Sequence, residues 1–339
     1  MLALSNIERF GNSKQRSGRR KKAEDGFVCG RARVRHVRFP AKKMRRCTSD
    51  SVGNMLSDIF MTGLKAFQKN ATYSISHCRR SGTIQNVLFG KPWGTSAAFG
   101  MDEQQHNNVS SLRIRLVEPV AMDAPDFCQA CQTIWAHTCP HGLNYGLSFI
   151  RQTLGGIPAP DDMDDAAIHI RCGDVLTSRF GNYGFSRYGL YRDTLHNQTK
   201  SIGIITSSWN THNCRRGDCQ NIETCRFLID DLKDYLEDVF PHATVTIRNT
   251  DANVVETFGR MIRAKQVVCS PSTFCLYPTL ATHGHGYIVN TTLYPFVGNI
   301  DDARIHVMDH DFVSMSTIND MLTANDVKAV VAALRFNST

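Results

Sequence analysis

A histidine, an arginine, a glycine and an aspartate follow an apolar run within residues 169–174, HIRCGD. Because side chains alternate along a strand, His169 and Arg171 are predicted to share one face. An arginine at a strand end can bind a phosphate through two parallel hydrogen bonds. Gly173 permits a positive φ, and Asp174 can orient the arginine, cap a helix or act as a base. The segment therefore predicts an anion site; the alternative is a structural Arg–Asp pair with His169 in the core.

A second polar cluster follows another apolar run, in residues 267–281, VVCSPSTFCLYPTLA. Ser270, Ser272 and Thr273 fall where a helix start leaves backbone N–H groups without partners, and their hydroxyls add further hydrogen-bonding groups. Ordinary helix capping is the alternative explanation of the same residues. Two strand ends that suit phosphate in one sheet together favour a nucleoside diphosphate bound between them.

The elements that must position these two clusters alternate regularly along the chain. Apolar runs predict strands, and patterns of three- and four-residue spacing predict helices. The strands are predicted at 166–171, 201–208, 243–249, 265–270 and 286–290, and the helices at 225–240, 253–264 and 272–284. Such alternation indicates an α/β fold with a parallel sheet and crossover helices. Ligands of these sheets bind beyond the carboxyl ends of the strands, where both clusters fall.

With 339 residues, the chain is long enough for two ordinary domains. Its first half is predicted to contain a helix at 53–69, strands at 71–77 and 112–120, and a helix at 143–154. Residues 155–165 are rich in Gly, Pro and Asp, which is typical of a linker. We therefore predict a tail over 1–47, a first domain over 48–160 and a second over 161–339.

The net charge of +8 belongs to the tail. Residues 1–46 hold 15 Lys and Arg against 3 Asp and Glu, whereas the rest of the chain holds 24 against 28. The tail is predicted to be disordered or loosely packed. It could bind nucleic acid or an anionic membrane surface, but a solvated linker or a wrongly chosen start codon explains it as well. The body adds no basic stripe, so no nucleic-acid partner is expected.

The chain has twelve cysteines, many of them clustered, and five Asn-x-Ser/Thr sequons, at Asn70, Asn108, Asn197, Asn290 and Asn337. Together they favour an oxidising compartment of the secretory pathway, such as the Golgi or endoplasmic reticulum lumen. The first residues are too polar for a signal-peptide core, and no apolar run reaches the length of a membrane span. Membrane anchoring is therefore expected only through a segment outside this sequence.

Two cysteine-rich segments allow specific interpretations. Residues 128–141, CQACQTIWAHTCPH, could hold zinc. Their spacing is too short for common zinc fingers, which favours disulfides or a free thiol pair. Residues 214–219, CRRGDC, are predicted to form a small disulfide-closed loop.

Three segments resemble the fucosyltransferase superfamily that includes the α1,2-, α1,6- and protein O-fucosyltransferases. Residues 53–67, GNMLSDIFMTGLKAF, are similar to the Gly-Asn helix that opens the first domain of these enzymes. HIRCGD is similar to their HxRxGD motif, and residues 269–281 to a helix start of their second domain. The resemblance spans roughly residues 52–292. It implies a GT-B arrangement, in which two Rossmann-like domains with parallel sheets face each other across a cleft.

The resemblance also implies an activity: inverting transfer of fucose from GDP-fucose to a glycan or protein hydroxyl, with no required metal or other cofactor. In the donor site, Arg171 would bind the β-phosphate, and His169 would approach the guanine or ribose. Ser272 and Thr273 would complete the phosphate site, with Gly173 and Ser270 beside it. Asp251 is the candidate partner of the guanine.

The catalytic candidates are Arg171, which would stabilise the charge of the leaving GDP, and Asp174, a carboxylate that could act as the base. Some members of the superfamily carry a second arginine where this chain has Cys172. A non-catalytic sugar- or nucleotide-binding protein on the same scaffold therefore stays open, as does a glycosyltransferase that uses another nucleotide sugar. The segment 177–192 is predicted to be either a loop that meets the sugar or acceptor, or an ordinary surface loop.

Overall fold

A computed structural model describes residues 53, 56, 57, 60, 73–75, 112–114, 142–177, 183–206, 219–249, 253–291, 293, 297–309, 312–324 and 326–336. Several predictions fall outside these residues. They are the tail over 1–47, the alternatives for 128–141, most of the loop at 214–219, and Asp251.

Ten strands are described. They are β1 (Tyr73–Ile75), β2 (Leu112–Ile114), β3 (Ala166–His169), β4 (Gly184–Ser186), β5 (Ser201–Thr206), β6 (Thr244–Asn249), β7 (Gln266–Cys269), β8 (His285–Val289), β9 (Ile305–Met308) and β10 (Phe312–Ser314). Six of them form one sheet in the order β6-β5-β3-β7-β8-β9, and every neighbouring pair is parallel. β1 pairs with β2, and β4 with β10, in two small antiparallel sheets.

Seven α-helices are described in addition to helical positions at 53, 56, 57 and 60, which we call the Gly53 helix. The seven are α1 (Gly142–Leu154), α2 (Gly189–Thr194), α3 (Cys219–Val239), α4 (Val254–Arg263), α5 (Thr273–Leu280), α6 (Met315–Thr323) and α7 (Val327–Arg335). The predicted α/β fold with a parallel sheet is confirmed, whereas the GT-B arrangement of two domains stays a prediction. Among the described residues, no helix is both long enough and apolar enough to cross a membrane.

Each face of the large sheet buries its own apolar cluster, because successive strand residues point to opposite faces. One cluster joins Ala167, Ile205 and Val267 to the Gly53 helix, α1, α4 and α5. The other joins Ile168, Ile204 and Val268 to helices α2, α3, α6 and α7. Helices on both faces thus hold the strand ends in fixed positions.

The Gly53 helix contacts the start of α5 without room for a side chain. A Cβ on Gly53 would lie 2.2 Å from the carbonyl carbon of Thr273 and 2.5 Å from the amide nitrogen of Phe274. Further along the same helix, the ring of Phe60 lies 5.1 Å from the ring of Tyr277. The glycine therefore allows the helix to reach the backbone of α5.

We expect Gly53→Ala to lower the free energy of unfolding by about 1–3 kcal/mol, the usual cost of overpacking a buried contact. The added methyl group must displace the helix from the backbone of α5. Urea unfolding measures the loss. Gly298→Ala is the matched control, because a Cβ there meets nothing within 4 Å. Equal stability of the two variants would mean that the close contact at Gly53 is absent in solution.

The loop predicted over 177–192 is wrong for part of its length, and residues 178–182 lie outside the described part of the structure. Residues 184–186 form β4, and α2 begins at Gly189. Tyr188 and Tyr191 are 3% and 2% exposed, and the Tyr188 hydroxyl donates to the carbonyl of Leu228. Burial of these aromatic rings makes them part of the core, so they cannot contact an acceptor.

Candidate functional site

The order in which successive strands are added to the large sheet reverses between β3 and β7. The chain passes from β3 outward to β5 and β6, and then returns to place β7 on the other side of β3. His169 and Cys269 are register partners at the carboxyl ends of these two strands. In open α/β sheets, ligands bind in the crevice at such a switch point. Both polar clusters of the sequence meet there.

Ser270 connects the ends of β3 and β7. Its hydroxyl oxygen lies 3.4 Å from His169 Nδ1 and accepts a 3.4 Å hydrogen bond from the backbone N–H of Arg171. The imidazole also stacks on the ring of Phe274 in α5, with the centroids 5.3 Å apart. The predicted neighbours His169, Arg171 and Ser270 are thus brought together.

His169 is a neutral group in this site. Burial, followed by the positive charge of Arg171, lowers the pKa of His169 to about 3. At neutral pH the imidazole therefore offers a ring face and hydrogen-bonding nitrogens without a charge. The positive charge at the end of β3 is that of Arg171, whose guanidinium carbon lies 5.1 Å from the centroid of the Tyr183 ring. This cation–π contact orients the arginine.

The buried imidazole predicts a pH dependence of stability. The unfolded chain binds a proton at His169 near pH 6.5, whereas the folded protein does so only near pH 3. Between these values the unfolded state holds more protons, so the free energy of unfolding falls as the pH falls, by up to about 1.4 kcal/mol per pH unit. Urea unfolding between about pH 6.5 and 4.5 measures this slope, above the range in which carboxylates such as Asp302 contribute.

His169→Phe should reduce that slope, because phenylalanine keeps an aromatic ring against Phe274 and cannot titrate. An unchanged slope in His169→Phe would show that the imidazole is not held neutral by burial.

The second cluster forms the start of α5. Ser272 is the N-cap of this helix, and its hydroxyl oxygen accepts a 3.3 Å hydrogen bond from the backbone N–H of Phe274. Ser272 and Thr273 are buried, at 0% and 4% exposure. Helix capping thus explains the position of the Ser272 hydroxyl, and the ring of Phe274 in this first turn stacks on His169 at the end of β3. A phosphate role for Ser272 and Thr273 stays a prediction.

A disulfide lies beside each of the two strand ends that form the site. Cys269–Cys275 joins the end of β7 to the first turn of α5, and Cys172–Cys225 joins the turn after β3 to α3. Cys172 is therefore a structural cysteine. The two disulfides support the expected oxidising compartment.

Gly173 follows Cys172 in the same turn, and its positive φ of 89° confirms the predicted conformation. Its backbone N–H donates to the Cys225 sulfur over 2.7 Å. Asp174 begins a short 3-10 helix, Asp174–Thr177. The Asp174 side chain lies outside the described part of the structure, as does the whole of Asp251, so their predicted roles stay predictions.

A polar cavity of about 250 Å³ lies at the start of α4 and at the ends of β5 and β6. The residues that line it are Asp162, Ile205, Ile247, Arg248, Asn253, Glu256, Thr257 and Arg260. Asn253 caps α4, and its side-chain oxygen accepts from the backbone N–H groups of Val255 and Glu256.

Ion pairs hold the arginines that line this cavity in place. Asp164, which is buried, binds Arg248 at 2.9 Å and Arg260 at 2.7 Å. Asp162 contacts the same two arginines at 2.5 Å each, and the hydrogen bond from Arg260 is the main cause that lowers the pKa of Asp162. The sequence interpretation missed these residues; the acidic run at 161–165 and Arg248 at a strand end were the available signals.

Comparison with protein-family models, curated proteins and solved structures finds no match to this chain. Its function is therefore inferred from the residues themselves. Within the described ranges, no group of three or more His, Cys, Asp or Glu side chains is arranged to hold a metal ion.

Proposed function

We propose that this protein is a glycosyltransferase that transfers fucose from GDP-fucose to a hydroxyl of a glycan or glycoprotein. The observation that carries the proposal is the pairing of Arg171 with the start of α5 across the switch point of the sheet. Register pairing of His169 with Cys269 puts the two elements on neighbouring strands. A guanidinium and a helix start on neighbouring strand ends suit a diphosphate. The sequence resemblance supports GDP-fucose as the donor and the GT-B arrangement of two domains.

The proposed reaction requires stabilisation of a leaving group. When the bond between the anomeric carbon and the β-phosphate oxygen breaks, both electrons stay with the nucleoside diphosphate. Arg171 and the N–H groups of the first turn of α5 stabilise that charge. The acceptor hydroxyl attacks the opposite face of the sugar and gives its proton to a carboxylate, for which Asp174 is the candidate. The anomeric configuration is thereby inverted.

The cavity at α4 supports a nucleotide that lies across several strand ends. Ile205, which lines the cavity, is the register partner of His169, and Arg248 lies one strand further, so the cavity begins about 5 Å from the end of β3 at the usual strand spacing. Asn253, Glu256 and Arg248 line it with both donors and acceptors. Asn253, which lines this cavity, follows Asp251, the candidate partner of guanine, by two residues in the sequence.

Cys172 favours one rival function. A second arginine would strengthen diphosphate binding, but in this chain a disulfide occupies its position. A protein that binds the nucleotide or a sugar without transfer is therefore the second candidate. A glycosyltransferase with another nucleotide sugar is a variant of the first. The two disulfides support a secretory compartment for both functions, and the Golgi or endoplasmic reticulum lumen is the proposed site of action.

A transfer assay tests the proposal. The full chain is incubated with GDP-fucose and a panel of glycan and glycoprotein acceptors in the presence of EDTA, and GDP release and product are measured. We expect GDP to be released only when an acceptor is present, and the product to have the inverted anomeric configuration. Transfer from a UDP-sugar would mean that the donor is not GDP-fucose. GDP binding without any transfer would favour the non-catalytic binding protein.

A further inference from the structure

Two histidines form a close pair at the edge of the sheet opposite the proposed site. His285 is the first residue of β8, and His306 is the second residue of β9, the edge strand. His285 is the register partner of Gln266, three residues before Cys269 on β7. At the rise of a strand this separates His285 from the end of β7 by about 10 Å.

The two imidazoles face each other through ring nitrogens. His285 Nδ1 lies 3.0 Å from His306 Nε2, and the rings stack with their centroids 5.3 Å apart and their planes 27° apart. At this distance one ring donates its N–H and the other accepts with a lone pair. The two nitrogens that metal ions prefer are therefore already next to each other.

Tyr287 fixes the orientation of one member of the pair. It is the register partner of His306 and stacks on the His306 ring with a centroid distance of 4.8 Å and an interplanar angle of 23°. The Tyr287 hydroxyl lies 3.5 Å from the side-chain nitrogen of the buried Gln266. Because neighbours hold the ring of His306, little ordering is required when a ligand binds.

The pair is accessible from solvent. His285 is exposed and His306 is half-buried, so ions and water can reach the nitrogens.

We propose that His285 Nδ1 and His306 Nε2 bind a divalent transition-metal ion, with water in the remaining positions. Two imidazoles at metal–nitrogen distances of about 2.0–2.1 Å in tetrahedral geometry are about 3.3 Å apart. The pair needs to open by only a few tenths of an ångström from its 3.0 Å separation. Both imidazoles stay neutral on binding: the proton of the donating nitrogen is lost to water, and the other nitrogen of that ring takes one up.

The chemistry of the ligands sets the preferred metal. Imidazole suits copper, nickel and zinc, and Cu²⁺ binds most tightly among the divalent ions of this series. A bound ion would join β9 to β8 and so stabilise the edge of the sheet. Binding to the folded state alone raises stability with metal concentration. This role is independent of the proposed transferase function.

The test is titration of the full chain, without a histidine tag and with free thiols alkylated, with Cu²⁺ and then Zn²⁺. We expect saturable binding of one ion and a rise in the melting temperature. His285→Gln and His306→Gln should each weaken binding by at least about tenfold, since loss of an outer-shell partner alone costs that much. His242→Gln, which removes an exposed histidine elsewhere, should bind like the wild type.

Electron paramagnetic resonance of the Cu²⁺ complex adds an independent measurement, because it reports the number of nitrogen ligands. Two nitrogens are expected in the wild type and one in His306→Gln. Equal metal affinity in the wild type and in the double variant would overturn the proposal. EDTA should remove the ion without changing nucleotide affinity, which distinguishes failure of this site from failure of the proposed function.

Discussion

Arg171→Ala is expected to weaken binding of GDP by roughly ten- to a hundredfold, the range that follows from losing a charge-assisted hydrogen bond. The guanidinium is the positive charge at the end of β3, because the neighbouring His169 is held neutral by burial. Its removal leaves the diphosphate with the N–H groups of α5 alone. Isothermal titration calorimetry of the folded variant measures the loss.

Two further variants make the result specific. Arg171→Lys keeps the charge but loses the planar pair of donors, so an intermediate affinity is expected. Arg192→Ala removes an exposed arginine of α2 that pairs with Asp193, and it should bind GDP like the wild type. If Arg171→Ala binds GDP with unchanged affinity, the assignment of this arginine to the phosphate is wrong.

Removal of the Cys172–Cys225 disulfide is expected to lower the free energy of unfolding by about 4 kcal/mol, the loop-closure value for a separation of 53 residues. The same variant should lose GDP affinity, because the disulfide fixes the turn that contains Gly173. The double variant Cys172→Ala/Cys225→Ala avoids a new free thiol. Urea unfolding and calorimetry measure the two effects.

The second disulfide is the matched comparison. Cys269–Cys275 closes a separation of six residues, for which the same relation gives about 2 kcal/mol. The loss of stability should therefore be larger for the Cys172–Cys225 pair. An equal or smaller loss would show that this disulfide does not constrain the unfolded chain as its length implies.

The local elements around the site could be predicted from the sequence because short-range signals define them. Apolar runs predict β3, β5, β6, β7 and β8, three- and four-residue spacing predicts α4, and the Ser/Thr cluster at 270–273 predicts the start of α5. The prediction that His169 and Arg171 follow a buried strand at a ligand-binding edge depended on these signals alone. Gly173 could be assigned its turn because few other residues adopt a positive φ.

Long-range relations could not be predicted in the same way. The pairing of Cys172 with Cys225 is one of many that twelve cysteines allow. The contact of Asp164 with Arg260 depends on how segment 155–165 packs on α4, although its composition is typical of a linker. The aromatic residues and arginines of 177–192 predict a loop, whereas the burial of Tyr188 and Tyr191 depends on distant residues such as Leu228.

The most direct measurement is calorimetric titration of the full chain with GDP, UDP, ADP and CMP in the presence of EDTA. We expect GDP to bind most tightly and Arg171→Ala to weaken this binding by roughly ten- to a hundredfold. Tighter binding of UDP would mean that the site binds a nucleotide but that the donor is a UDP-sugar. A folded sample that binds none of the four nucleotides would contradict the central claim that the ends of β3 and β7 form a diphosphate site.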